Sequence, residues 1–103
     1  MGEMPALTEA VYYILLALLQ PMHGYGIMQT VAEMSNGRVR LAAGTLYGAL
    51  NSLCGKGWIR ELPGEAASRK KEYCITPAGI AVVQQELARL QELVANGENR
   101  LGN

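Results

Sequence analysis

Aspartate is absent from this 103-residue chain, and histidine occurs once, at His23. A Ser-His-Asp triad, an acid–base carboxylate pair and a His/Asp metal cluster are therefore out of reach in their usual forms, and no enzymatic chemistry is expected. His23 precedes Gly24 and reads as a helix-start residue, not a ligand. The Gly-Tyr-Gly run at 24–26 is not a phosphate loop, because no strand pattern precedes it and the loop lysine is missing. Cysteine is scarce too. Cys54 and Cys74 stand twenty residues apart with no CxxC or Cys/His grouping, which indicates neither a zinc site nor a disulfide framework and favours two small, reduced core residues over a redox sensor. Long apolar runs are missing: residues 10–19 are too few to span a bilayer, and "MGEMPALTEA" has no basic leader. A soluble cytoplasmic chain without a membrane partner, metal or cofactor is expected.

Half of the residues are apolar. At this length that supports one domain with a small core, marginal alone and helped by a partner subunit. Formal charge is zero, but unevenly spread. Residues 1–34 carry three glutamates and no lysine or arginine, whereas residues 35–73 hold seven of the nine basic residues against three glutamates. Arg38, Arg40, Lys56, Arg60, Arg69, Lys70 and Lys71 are thus gathered in the middle third, a distribution that suits an anionic partner such as nucleic acid.

Five elements are predicted. Residues 8–20 form a helix capped by Thr8 and closed before Pro21, apolar nearly all round. A second helix starts at His23, has Ile27, Val31 and Met34 along one side, and stops at "SNG", with Gly37 suited to the left-handed conformation. A third, beginning in "AAGTLYGAL", ends at Lys56, with Gly57 after the cap and Trp58 folding back toward Leu53. Residues 58–62 and 71–76 read as a β-hairpin around the polar loop "PGEAASRK". Thr76 and Pro77 open a final helix expected to reach about residue 96, before Gly97. In it Ile80, Val83, Leu87, Leu90 and Val94 alternate in steps of three and four, a narrow stripe over about two heptads that suits a partner helix or, alternatively, packing on its own domain.

This order is that of a winged helix-turn-helix, mainly α with a small β-hairpin: residues 1–76 as the DNA-binding part and 77–103 as a C-terminal dimerisation helix and tail, in one compact unit. In that architecture the third helix enters the DNA major groove. On a helical projection Leu46, Ala49, Leu50, Leu53 and Cys54 share one side, while Gly44, Thr45, Gly48, Asn51, Ser52 and Gly55 share the other. Glycine inside an exposed helix costs about 0.8 to 1 kcal/mol relative to alanine, so three of them on one face are not explained by folding. Bare backbone permits close approach, and Thr45, Asn51 and Ser52 can hydrogen-bond base edges or phosphates.

Four ordered stretches, "PMHGYGIM" (21–28), "GTLYGAL" (44–50), "LCGKGWI" (53–59) and "SRKKEYCITPAG" (68–79), resemble the PadR family of winged-helix transcriptional regulators across nearly the whole chain. One position departs from the pattern: Gly48 stands where the family often has proline after Thr-Leu-Tyr. The resemblance implies a homodimeric repressor of the short subgroup, bound to an inverted repeat in double-stranded DNA. Tyr47 joins the DNA-binding set with Arg38, Arg40, Gly44, Thr45, Gly48, Asn51 and Ser52 and the wing residues Arg69, Lys70 and Lys71. It further implies dimerisation through the last helix with a contribution from Leu15 and Leu19, and response to a small hydrophobic or phenolic effector, for which Met4, Tyr12 and Tyr13 are the candidate lining residues. Two readings of other classes compete. One is a winged-helix module that binds protein, against which the basic wing and the polar helix face argue. The other is a small-molecule-binding dimer without DNA contact.

Overall fold

The computed structural model describes residues 6–63 and 71–102. Its elements are α1 (Glu9–Ala17), β1 (Met22–His23), α2 (Gly24–Met34), α3 (Ala43–Gly55), β2 (Ile59–Leu62), β3 (Glu72–Ile75) and α4 (Pro77–Leu101). Thr8 caps α1 as expected, its Oγ1 accepting the Val11 N–H at 3.1 Å. The helix closes at Ala17, earlier than residue 20, because Leu19 and Gln20 donate to Leu16 and Ala17 and the last turn tightens to three-residue spacing. His23 starts α2 with its ring, Nδ1 accepting the Gly26 N–H at 3.3 Å. At the other end both Asn36 and Gly37 are left-handed (φ 53° and 80°), so asparagine shares the stop assigned to glycine alone.

The exit from α3 is a Schellman turn. Gly57 (φ 77°) donates to the Cys54 carbonyl at 3.0 Å and Trp58 to the Leu53 carbonyl at 3.1 Å. Beyond it β2 and β3 pair antiparallel, Ile59 opposite Ile75 and Leu62 opposite Glu72. The sheet has a third strand that the sequence did not announce. β1 pairs antiparallel with β3, Met22 opposite Tyr73, giving the order β1-β3-β2. Two residues are too few to display a period, so a strand precedes Gly24 after all.

One core joins the elements: Ile14, Leu15 and Leu18 of α1 and its cap, Ile27 and Val31 of α2, Leu46, Leu50 and Leu53 of α3, Ile59 and Tyr73 of the sheet, and Val82 and Val83 of α4. The nearly all-round apolar α1 is thus satisfied inside its own chain, packed between α2 and α4. This corrects one expectation. Leu15 is 0% exposed and has no surface left for a partner, whereas Leu19, past the helix end, is open.

α4 runs 25 residues, about 37 Å at 1.5 Å per residue. It passes through Gly97 and ends at the left-handed Gly102, contrary to the expected end near residue 96. One interior glycine costs about 1 kcal/mol, too little to break a helix already nucleated, and Arg100 suits its C-terminal dipole. At the opposite end Gly79 lies against the chain. A Cβ there would collide with the Trp58 carbonyl and come within 2.7 Å of Ile75 Cγ1. Gly79→Ala is therefore expected to destabilise the protein by about 1 to 3 kcal/mol, read as a fall in thermal midpoint. An unchanged midpoint would show that α4 can shift along the sheet.

Candidate nucleic-acid interface

The solvent face of α3 is bare in three dimensions as well as on a helical projection. A Cβ built on Gly44, Gly48 or Gly55 would meet nothing within 4 Å, and Thr45, Tyr47, Asn51 and Ser52 are exposed around them. Leu46, Leu50 and Leu53 hold the opposite side in the core. The N-cap of α3 is Ala42, which offers no side-chain acceptor, so the first-turn N–H groups have no side-chain cap and face solvent.

The two flanks of this face differ. On the Tyr47 and Asn51 side a cleft of about 540 Å³ opens between α3, the start of α2 and β3, lined by His23, Tyr25, Tyr47, Asn51, Lys71 and Tyr73. Tyr47 lies across Gly24: a Cβ on Gly24 would collide with the Tyr47 hydroxyl and stand 2.9 Å from its Cζ. Gly24 and Tyr47, twenty-three residues apart in sequence, thus interlock two motifs. Ser52 lies on the other flank with Ala49 and Lys56, in a hollow of about 210 Å³ against Leu7 and Val11 of the α1 end. There the Lys56 ammonium sits 5.1 Å from the centre of the Trp58 ring.

Tyr25 lines the cleft on the Tyr47 side and is a candidate that sequence reasoning passed over. It is 62% exposed, and its hydroxyl accepts from Gln29 Nε2 at 3.3 Å. Its signal was present in the quoted His-Gly-Tyr motif, where a large aromatic stands one residue inside a helix start.

The expected cations separate. Lys71 stands at the foot of the hairpin, its Nζ 3.8 Å from Glu61 of β2, and borders the cleft. Arg40 is exposed in the connection before α3, with Nη2 2.9 Å from the position a Gly37 Cβ would take. Arg38, expected to face DNA, instead pairs with Glu9 of α1, Nε to Oε2 being 3.1 Å. The hydrogen bond from Arg38 holds the Glu9 carboxyl below its usual range, and Glu9 in turn raises Arg38. That guanidinium is engaged within the chain. Arg69, Lys70 and Met4 lie outside the described residues.

The α4 stripe is two-sided. Ile80, Leu87, Val94 and Leu101, seven residues apart, are exposed, while Val83 is buried on its own domain and Leu90 is half-buried. Leu93 and Leu101 add exposed apolar surface that the predicted stripe lacked. A groove of about 330 Å³ runs along the helix between Leu87 and Glu98.

Between α1 and α4 lies a second cleft, of about 280 Å³. Leu7, Tyr12, Tyr13, Glu86, Arg89 and Leu90 line it, with the two tyrosine rings 6.1 Å apart. Its wall is not purely apolar. Glu86 is 6% exposed and takes hydrogen bonds from Arg89 at 2.9 and 2.5 Å, which hold its carboxyl below the usual range. Cys54 and Cys74 are free and half-buried, and burial, with Glu61 nearby, pushes the Cys54 thiol up, away from reactivity. Among the described residues no helix is long and apolar enough to cross a membrane.

Among the described residues, four helices and a three-stranded antiparallel sheet, with a third helix turned bare to solvent beside the hairpin, define a winged helix-turn-helix protein. The chain belongs to the transcriptional regulator PadR-like family, whose model matches residues 14–85. It is similar to a transcriptional regulator from Clostridium thermocellum, Cth-833 (26% identity, 88% of this chain and 89% of that one, TM-score 0.70). It is also similar to a PadR family transcriptional regulator from Eggerthella lenta DSM 2243 (22% identity, 88% and 76%, TM-score 0.72). An uncharacterized 37.1 kDa protein in transposon TN4556 of Streptomyces fradiae is 36% identical over 87 residues, 84% of this chain and 24% of that protein. The chain thus spans about a quarter of the length of that curated relative.

Proposed function

We propose that the protein is a homodimeric DNA-binding repressor, acting in the cytoplasm on an inverted-repeat operator and relieved by a small hydrophobic effector. The observation that carries this reading is the open stripe of Gly44, Gly48 and Gly55, where backbone meets solvent with nothing in front of it. Such a face lets a helix sit deep in a major groove, and its uncapped N-terminus favours a phosphate. Asn51 is exposed beside the stripe, where an asparagine amide can pair with an adenine edge, and the exposed Tyr47 and Tyr25 flank it as candidate phosphate contacts. Arg40, Lys71, Arg69 and Lys70 supply the positive charge. Arg38 is left out of this set because it pairs with Glu9.

Dimerisation is assigned to α4. Residues 91–101 are exposed on every side, and a second copy laid along Ile80, Leu87, Val94 and Leu101 would cover them. The cleft between α1 and α4 is the candidate effector site: Tyr12 and Tyr13 offer stacking surface, and the Glu86–Arg89 pair offers a polar anchor.

The test is binding to duplexes selected by the protein from a random pool. Alanine at Arg69, Lys70 and Lys71 together is expected to weaken selected and unselected DNA alike and to reduce the salt slope by about 0.9 for each phosphate no longer neutralised. Asn51→Ala is the companion, expected to relax preference at one position in each half-site by about 1 to 3 kcal/mol. Unchanged salt dependence in the triple variant would remove the wing from the mechanism. Absence of any selected sequence would overturn the function itself.

A further inference from the structure

We propose that Thr76 is a positioning residue that couples the dimerisation helix to the recognition helix and so sets the half-site spacing at which the dimer reads DNA; this rests on the reading of the chain as a DNA-binding homodimer. Its side chain joins two helix ends. Oγ1 accepts the Gly79 N–H at 3.1 Å, capping α4, and donates to the Gly57 carbonyl at 2.6 Å. A hydroxyl has one proton and two lone pairs, so both bonds form at once.

Gly57 belongs to the termination of α3. It is the left-handed residue after the cap, and its own N–H holds the Cys54 carbonyl. The last turn of the recognition helix is therefore linked to the first turn of α4 through a single oxygen atom. Backbone bonds brace the same point: Thr76 N–H donates to the Trp58 carbonyl at 3.0 Å, and Ile75 N–H to the Leu18 carbonyl at 2.8 Å, tying in the end of α1. Gly79 lets the first turn of α4 lie directly on the Trp58 carbonyl, which leaves no slack in the joint.

In a two-fold dimer built on α4, the angle between α3 and α4 occurs twice. A small change in each protomer alters the separation of the two recognition helices, and half-sites about 34 to 36 Å apart per helical turn of DNA register that separation directly. Discrimination between half-site spacings therefore measures the stiffness of this joint. Folding stability measures something else, since any good N-cap keeps α4 intact. Aspartate separates the two roles: ionised, it accepts the Gly79 N–H as a cap but has no proton to give the Gly57 carbonyl.

The experiment places two copies of the selected half-site at the parent's preferred spacing and at spacings displaced by one, two and three base pairs. Affinities and thermal midpoints are measured for the parent, Thr76→Ser, Thr76→Asp and Thr76→Val. Thr76→Ser should keep the ratio of preferred to displaced affinity within about twofold. Thr76→Asp should hold the thermal midpoint near the parent's, yet lose about five- to tenfold of that ratio, the scale of one charge-free hydrogen bond made in each of two protomers. Thr76→Val should lose the ratio likewise. An unchanged ratio in Thr76→Asp and Thr76→Val overturns the inference, as does an equal loss of affinity at every spacing, which a purely structural role would produce. A parent that binds DNA without spacing preference, or does not bind, overturns the underlying reading as well, and that outcome is visible in the parent alone.

Discussion

Replacing Gly48 by leucine is expected to abolish operator binding, with a loss of about hundredfold or more, while the fold becomes slightly more stable. The two effects have separate causes. A Cβ at this position meets nothing within 4 Å, so leucine overpacks no core. Gly48 lies inside α3 without a positive φ, and leucine recovers most of the roughly 0.8 to 1 kcal/mol that glycine costs in a helix interior. In a domain of this size that corresponds to a rise of about 3 to 6 °C in thermal midpoint. On DNA, however, the same side chain stands between the helix backbone and the bases, and the other contacts are held out of reach. Anisotropy with the selected duplex and a melt on the same variant read both quantities. Binding within threefold of the parent would mean that α3 is not the recognition helix.

Leu87→Glu is expected to convert the protein to monomer, and operator affinity should fall by about 10² to 10⁴, the advantage of binding the second half-site intramolecularly. Leu87 is 45% exposed, in the middle of the row Ile80, Leu87, Val94 and Leu101, and contributes nothing to the internal core. The substitution therefore leaves Ile14, Leu18, Leu46 and their neighbours packed. In the dimer it would bring two carboxylates toward each other across the two-fold axis, in a seam that otherwise removes apolar area from water. Sedimentation at micromolar concentration distinguishes the states. A parent that is itself a folded monomer under those conditions would overturn the assignment of α4.

Much of this molecule is written locally. Thr8, Thr76 and Pro77 mark helix starts, Gly57 marks the end of α3, and three glycines among polar residues mark a face kept free, because capping, left-handed turns and helical spacing each depend on residues within four or five positions. What went unread depends on distant neighbours. The continuation of α4 through Gly97 is the exception and is local: one glycine costs about 1 kcal/mol, too little to stop a helix already nucleated.

Leu15 and Val94 show the limit. Both are aliphatic residues on helices with apolar stripes, and nothing in their local sequence separates a residue buried in its own chain from one left for a partner. Only the packing of α1 between α2 and α4 buries the first, and only the overhang of α4 beyond the domain exposes the second. Arg38 is similar: the charge is read from the sequence, but its pairing with Glu9, twenty-nine residues away, is not. The chain alone thus determined the order of its helices and hairpin and the bare face of α3, since backbone preferences and periodicity are local properties. The tertiary structure decided that Tyr47 lies on Gly24, that Met22 and His23 join the sheet, that Thr76 bridges two helix ends, and which apolar and charged groups remain free, because burial and pairing are settled by whatever the fold brings alongside.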